Sequence, residues 1–275
     1  MTFREAISFG ERQLHDVGIV DAKNDAWLLL AFVCKIDNTF YYVHMDEQMS
    51  LGHQMEYENL LSKRAEHVPL QYIIGEQEFM GISFRVNESV LIPRQDTETL
   101  VGEALKLLRP GMKVLDMCTG SGCILISILK NSIDVEGFGY DISKQALIVA
   151  KENARLNNVN ATFELSDLFD DVTDTFDIIV SNPPYIPTAL IGTLMPEVAV
   201  YEPMQALDGK EDGLYFYRKM VISALDHLKE NGKLLFEIGH DQAEAVSDLM
   251  KEAGYKDIKV VKDLAGNDRV VIGGL

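Results

Sequence analysis

The 275-residue chain reads as an α/β protein, a mainly parallel sheet with helices on both faces, preceded by a small helical domain. Three observations predict this. Beyond residue 110, short apolar runs alternate with helix-length segments, the pattern of crossover-connected parallel strands. The first of these runs, Lys113-Val114-Leu115-Asp116-Met117, leads into a glycine-containing loop and then an apolar helix-compatible stretch, Cys123 to Leu129. Residues 1–75 instead carry apolar residues at helical spacing.

Taken in order, Thr2 is placed to cap a helix containing Ala6, Ile7, Leu14 and Val17. Asp21 caps the next, with Ala26 to Ala31 as its buried heart and Trp27 in the core. Asn38 opens a third, and Leu51 to Ala65 forms a fourth bearing Met55, Leu60 and Leu61. Helices this short need one another, so residues 1–75 are expected to pack as a bundle. Residues 76–92 alternate in polarity, with Phe79, Ile82, Phe84 and Val86, and predict a β-hairpin linking the bundle to a second domain over 93–275. There, Thr97 to Leu108 is helical. A strand at 113–117, a helix to about 130, a strand at 137–141 and a helix at 143–157 follow. Next come strands near 161–165 and at 176–181, helix 213–229, strand 233–238 and helix 241–253. The runs 257–262 and 269–273 flank Ala265-Gly266-Asn267-Asp268, which predicts an antiparallel hairpin at the sheet edge.

Composition limits the partners. Hydrophobic content of 47% and charged content of 25% are ordinary for a globular protein. The formal charge of −18 opposes a phosphate backbone. Residues 1–75 hold 6 basic and 11 acidic side chains, net −5, a poor basis for reading nucleic acid. Cys34, Cys118 and Cys123 show neither disulfide nor zinc spacing, and the histidines do not cluster, so no metal site is expected. No signal-peptide pattern or bilayer-length apolar segment is evident. A cytoplasmic monomer with no membrane contact is expected.

The loop Cys118-Thr119-Gly120-Ser121-Gly122 lets a ligand approach the backbone closely. It lacks the dinucleotide pattern Gly-x-Gly-x-x-Gly, and no phosphate-binding Gly-Lys-Ser/Thr occurs. An acid at the strand end, Asp116, suits a ligand carrying an ammonium group and hydroxyls, such as S-adenosylmethionine. Asp141 ends the strand Gly137-Phe138-Gly139-Tyr140-Asp141, 25 residues on, a spacing that fits a grip on ribose hydroxyls. It is equally placed to cap the following helix. After the apolar run 176–181 comes Asn182-Pro183-Pro184-Tyr185. Such a segment holds a planar NH2 group still: the Asn182 oxygen and a backbone carbonyl accept its two N–H bonds. The prolines stiffen the loop, and Tyr185 offers an aromatic face.

Asp116 to Gly122, Asp141, Ser166-Asp167-Leu168-Phe169 and Asn182 to Tyr185 resemble the successive motifs of class I methyltransferases. More narrowly the chain resembles the HemK-type protein-glutamine methyltransferases, pointing to the branch that modifies peptide chain release factors. Pro69 to Gly75, Val90 to Glu98, Glu202-Pro203, Ala206 to Gly209, Asp212-Gly213-Leu214 and Phe236-Glu237-Ile238-Gly239 extend the resemblance over essentially the whole chain. Cys118 stands where many relatives carry Gly, and its Cys-Thr-Gly-Ser-Gly loop resembles that of sister enzymes acting on a ribosomal-protein glutamine; Gln95 stands where relatives often carry Pro.

The resemblance implies a Rossmann-like, mainly parallel seven-stranded sheet, with 93–275 catalytic and 1–75 docking the substrate. It implies S-adenosylmethionine as cofactor, becoming S-adenosylhomocysteine. Asp116 and Cys118, Thr119, Gly120, Ser121 and Gly122 would hold its amino-acid part, and Asp141 its ribose. Asp167 and Leu168 would border its adenine, unless they are a turn residue and a core residue. Asn182, Pro183, Pro184 and Tyr185 would bind the substrate amide, with Asn182, Pro183 and Tyr185 acting in catalysis and Asn182 also touching the cofactor. The substrate implied is the glutamine of the Gly-Gly-Gln loop in class 1 release factors. A ribosomal-protein glutamine is the first alternative, and a nucleic-acid adenine, which also suits Asn-Pro-Pro-Tyr, is the second.

Overall fold

The structure, a computed structural model, describes residues 1–275 and divides into two compact units. The first comprises Met1–Gly75 with Met195–Tyr201, and the second Glu76–Leu194 with Glu202–Leu275.

In the first unit, α1 (Phe3–Asp16), α2 (Ala22–Cys34), α3 (Asn38–His44), α4 (Leu51–Ala65) and α5 (Leu70–Ile74) enclose a core built around Leu14, Leu29, Leu30, Tyr57 and Leu61. Thr2 caps α1 in a reciprocal capping box with Glu5. Asp21 precedes α2 without a side-chain cap bond, and α3 opens at Asn38 as expected, capped by the Asp37 side chain. Trp27 is half-buried, edge-on to Tyr41, whereas Met55 and Val17 lie exposed. Arg64 is buried and donates to Asp25 at 2.7 Å, to Glu197 at 2.7 Å and to the Val68 carbonyl at 3.1 Å. Glu197 belongs to a short helix, Pro196–Tyr201, so this charge cluster fastens that segment into the bundle.

The second unit opens with the hairpin β1 (Glu76–Phe79) and β2 (Ile82–Arg85), whose Phe79 and Phe84 enter this unit's core. From Val86 to Arg94 the chain has no regular structure, so the expected linking hairpin is shorter than 76–92. A 3-10 turn, Gln95–Thr97, leads into α6 (Glu98–Leu107). Then come β3 (Lys113–Met117), α7 (Cys123–Lys130), β4 (Glu136–Asp141), α8 (Lys144–Leu156), β5 (Thr162–Leu165) and β6 (Phe176–Ser181). Short helices Thr188–Ile191 and Met204–Leu207 follow, unanticipated because neither is long enough to show a period. Next are a helix Tyr215–Ser223, β7 (Leu228–Glu237), a helix Ala243–Glu252, β8 (Lys256–Lys262) and β9 (Asp268–Gly274). The helix expected over 213–229 gives way to a 3-10 turn at Ala224–Asp226. β7 correspondingly starts early, its register against β6 slipping between Phe176 and Ile178.

The sheet runs β5-β4-β3-β6-β7-β9-β8, with β3 to β7 parallel and β9 and β8 antiparallel, closing the edge as the terminal hairpin predicts. Chain order reverses between β3 and β6. Connections leaving them diverge, opening a crevice beyond their carboxyl ends, where ligands bind in folds of this kind. No helix is long and apolar enough to cross a membrane.

Close packing at β4 sets the floor of that crevice. A Cβ added to Gly139 would come within 2.7 Å of the Phe163 ring and 3.0 Å of Thr119 Oγ1. Gly139→Ala should therefore lower unfolding free energy by about 1–3 kcal/mol in urea titration. Unchanged stability would mean that Phe163 retreats without cost.

Candidate functional site

At the switch point a cavity of about 360 Å³ opens, within the range of small-molecule sites. One wall is the loop after β3. Cys118, Gly120 and Gly122 all take left-handed backbone angles, with φ of +62°, +55° and +78°. Glycine adopts these freely; Cys118 does so at some strain, which explains why glycine suits that position. Gly122 also begins α7 so close to α8 that a Cβ would lie 3.2 Å from that of Ala150. Asn153 of α8 ties the loop to the hairpin, donating to the Ser121 carbonyl at 2.9 Å while pairing with both backbone groups of Arg85.

Asp116 lies beneath this wall, fully buried. Its Oδ2 accepts from the Thr119 hydroxyl at 2.6 Å, but Oδ1 has no partner. Burial pushes its carboxyl up to about 7, against the pull of the Thr119 bond, and the nearby Asp141 charge adds to the rise. Asp141 lines the cavity from the end of β4 and accepts from Gly120 N at 2.9 Å and Ser143 N at 2.8 Å. Burial raises its pKa too, and those backbone donors restrain the shift. The capping role falls to Ser143, which accepts from Ala146 N; Asp141 makes the preceding turn.

Of the residues expected at the site, Cys118, Thr119, Gly120, Ser121, Asp141, Asp167, Leu168, Asn182 and Pro184 line one cavity. Asp116, Gly122, Pro183 and Tyr185 stand behind the lining rather than on it. Asp167 is exposed, whereas Leu168 is half-buried in the left-handed region, φ +51°.

Asn182 follows β6 directly. Ser181 anchors the strand end through a 2.6 Å bond to the Met117 carbonyl. The Asn182 Nδ2 donates weakly to Thr97 Oγ1 at 3.5 Å, leaving Oδ1 available to a ligand. The loop beyond is clamped from below. Gln242 Nε2 donates to the carbonyls of Tyr185 (3.0 Å) and Gly213 (3.3 Å), while its Oε1 accepts from Gly239 N at 2.9 Å. Gly209 fits against the Tyr185 backbone where a Cβ would not. Burial pushes the Tyr185 hydroxyl up to about 12, so it stays protonated and neutral.

Several lining residues had no role assigned from sequence. Leu91, Pro93 and Arg94 lie in a motif the sequence displays, but Ser143, Tyr215, Phe216 and Lys219 carry no comparable mark. Gln242, Thr97 and Glu237 were missed as supports. For Glu237 the signal existed: like Asp141, it is an acid ending an apolar strand.

Residues 5–75 match a family described as PrmC N-terminal domain, and residues 96–193 one described as methyltransferase small domain. A release factor glutamine methyltransferase of Geobacter sulfurreducens is 40% identical over 273 residues, 99% of this chain and 96% of its own. One from Thermodesulfovibrio yellowstonii is 42% identical, covering 90% of this chain and 91% of its own. Among solved structures, a methyltransferase from Pyrococcus furiosus superposes with a TM-score of 0.54 at 20% identity, covering 70% of this chain and 89% of that one. This structural likeness speaks for the fold.

The buried Asp116 has a measurable consequence. Its folded pKa, raised from 3.8, favours the protonated form, so its stabilisation is complete below the unfolded value and fades as pH climbs toward 7. In ligand-free protein, Asp116→Asn should gain about 2–3 kcal/mol relative to wild type between pH 5 and pH 8. Urea titrations at both pH values test this, and a pH-independent difference would rule out the raised carboxyl.

Proposed function

Because the chain belongs to the release factor glutamine methyltransferase family, we propose that it transfers a methyl group from S-adenosylmethionine to a protein glutamine. The acceptor is the side-chain amide nitrogen N5 of the glutamine in the Gly-Gly-Gln loop of class 1 release factors. The observation that carries the reading is the Asn182 carboxamide, set at the end of β6 beside the glycine loop, with Oδ1 turned from its protein partner.

The residues fit the cofactor. The partnerless Oδ1 of buried Asp116 is an acceptor awaiting a cationic or N–H group, and an ammonium nearby would return this carboxyl to its ionised form. Cys118 to Gly122 supply the backbone around it. Asp141 uses one lone pair of each oxygen on the backbone, leaving capacity for two ribose hydroxyls. Leu168 offers an apolar wall and Asp167 an acceptor for an adenine. The sulfonium of the cofactor supplies an electrophilic methyl group, so the protein need not activate it.

The protein's task is to present the glutamine nitrogen. An amide nitrogen is a weak nucleophile because its lone pair is delocalised. Asn182 Oδ1 and the Pro183 carbonyl accept its two N–H bonds, localising that lone pair and fixing its direction. Pro184 lines the approach and Tyr185 packs its neutral ring on the amide plane. Rate enhancement comes chiefly from this placement. The helical unit is assigned to docking the release factor; Phe9, Phe32, Phe40, Tyr42 and Val43 supply exposed apolar surface there.

Label transfer from radioactive S-adenosylmethionine to a purified release factor, but not to its Gln→Ala variant or duplex DNA, is the expected result. Label on DNA instead would replace the substrate class. Asn182→Ala should lower kcat by roughly a hundredfold or more while cofactor Kd stays within about threefold. Near-normal turnover would remove Asn182 from the mechanism. Asp141→Ala should weaken cofactor binding roughly ten- to a hundredfold by calorimetry, and an unaltered Kd would dismiss its ribose role.

A further inference from the structure

We propose that Glu237 and Thr97 are positioning residues that fix which way the Asn182 carboxamide points. This deepens the reading of Asn182 given above and rests on it. β6 and β7 are parallel with Ser181 opposite Phe236, so Asn182 and Glu237 come next and share a sheet face with Val180 and Leu235. Thr97, buried just before α6, stands over that face. The three side chains form a carboxyl, hydroxyl and carboxamide cluster at the carboxyl ends of the strands.

Glu237 is 2% exposed, and its Oε2 lacks any formed hydrogen bond. Burial pushes its carboxyl up to about 7, and the nearby Thr97 and Asn182 side chains pull it back toward the charged form. Arg269, on the adjacent β9, provides a nearby positive charge, itself shared with Asp263 and Asp96, each at 3.1 Å. A carboxylate in such a place costs stability, and the apolar faces of both strands would accept an uncharged residue there.

Direction of donation is what the acid supplies. With its pKa pushed up to about 7, the Glu237 carboxyl is ionised above that pH, and in that form it only accepts. It accepts a hydrogen bond donated by the Thr97 hydroxyl, so the Thr97 oxygen turns its lone pairs toward Asn182. Asn182 must then aim its NH2 inward, consistent with Nδ2 facing Thr97 Oγ1 at 3.5 Å. Its Oδ1 is left facing the cavity, the orientation needed to accept from a substrate amide. A glutamine in place of Glu237 could donate as well as accept. The Asn182 carboxamide could then flip and offer NH2 to a substrate NH2, which cannot bind it.

The test is steady-state methylation of the release factor by Glu237→Gln, Thr97→Val and Thr97→Ser, alongside cofactor Kd and thermal unfolding. Glu237→Gln is expected to lower kcat roughly ten- to a hundredfold with KM and cofactor Kd near wild type and Tm unchanged or raised. Thr97→Val should show the same kcat loss, and Thr97→Ser should restore most of it. If Glu237→Gln does not fold, the Thr97 pair carries the test. Turnover within twofold of wild type for Glu237→Gln, or a Thr97→Ser defect equal to that of Thr97→Val, overturns the proposal. Failure of wild-type protein to methylate the release factor would instead strike the underlying reading.

Discussion

The parallel pairing of β3 with β6 is the constraint on which the site depends. Met117 lies opposite Ser181, and the Ser181 hydroxyl locks onto the Met117 carbonyl. One residue beyond each, the chain leaves the sheet: into the left-handed Cys118 on one side and into Asn182 on the other. Two loops that line the same cavity, separated by some sixty residues of sequence, thus start side by side. Slipping this register by one residue would turn the side chains of one strand to its opposite face and separate the two loops. Topology adds the opening, because the strand order reverses at this pair.

Three buried or part-buried acids, Asp116, Asp141 and Glu237, sit at or next to the carboxyl ends of β3, β4 and β7, and Asp141 lines the opening. All are pushed toward the neutral form, and burial is the first cause in each case. None has a salt-bridge partner that would justify it on stability alone. Their environments differ in a useful way. Asp141 is held by two backbone donors and keeps outward capacity. Asp116 keeps an empty acceptor beneath the glycine loop, and Glu237 one beside the Asn182 loop. Acids held at a cost in a cleft are the mark of a site shaped for binding rather than for folding.

Most of the sheet was legible in the sequence because its strands are buried on both faces and punctuated by turns. The expected limits of β3 and β6 match those observed, and the terminal hairpin pairs as expected. What escaped has physical causes. The short helices after Pro187 and Pro203 show no periodicity. Asn38 opens α3 as expected, but the cap before it, Asp37, which accepts from Phe40 N, went unread. The cavity loops carry local marks, glycines, acids and prolines, and could be read directly. Thr97 and Gln242 bond partners tens of residues away, and Glu237 comes beside Asn182 only through the sheet register.

Charge bears on the choice between the two planar nitrogens that an Asn-Pro-Pro-Tyr loop can hold, a glutamine amide and an adenine amine. Reaching an adenine in nucleic acid requires cations free to meet phosphates. Three cationic residues line this cavity, and each is already engaged. Arg94 pairs with Glu202 at 2.5 Å, Lys210 with Asp208 at 2.9 Å, and Lys219 sits over the Tyr215 ring at 4.8 Å. Around them the chain carries a formal charge of −18. A phosphate backbone approaching this mouth would meet two ion-paired cations and one held over an aromatic ring, in a repulsive field. A neutral glutamine flanked by glycines meets no such barrier, since it brings no charge and its slender loop can enter a narrow cavity. The electrostatics of the surroundings thus favour a neutral protein amide over a phosphate-bearing substrate.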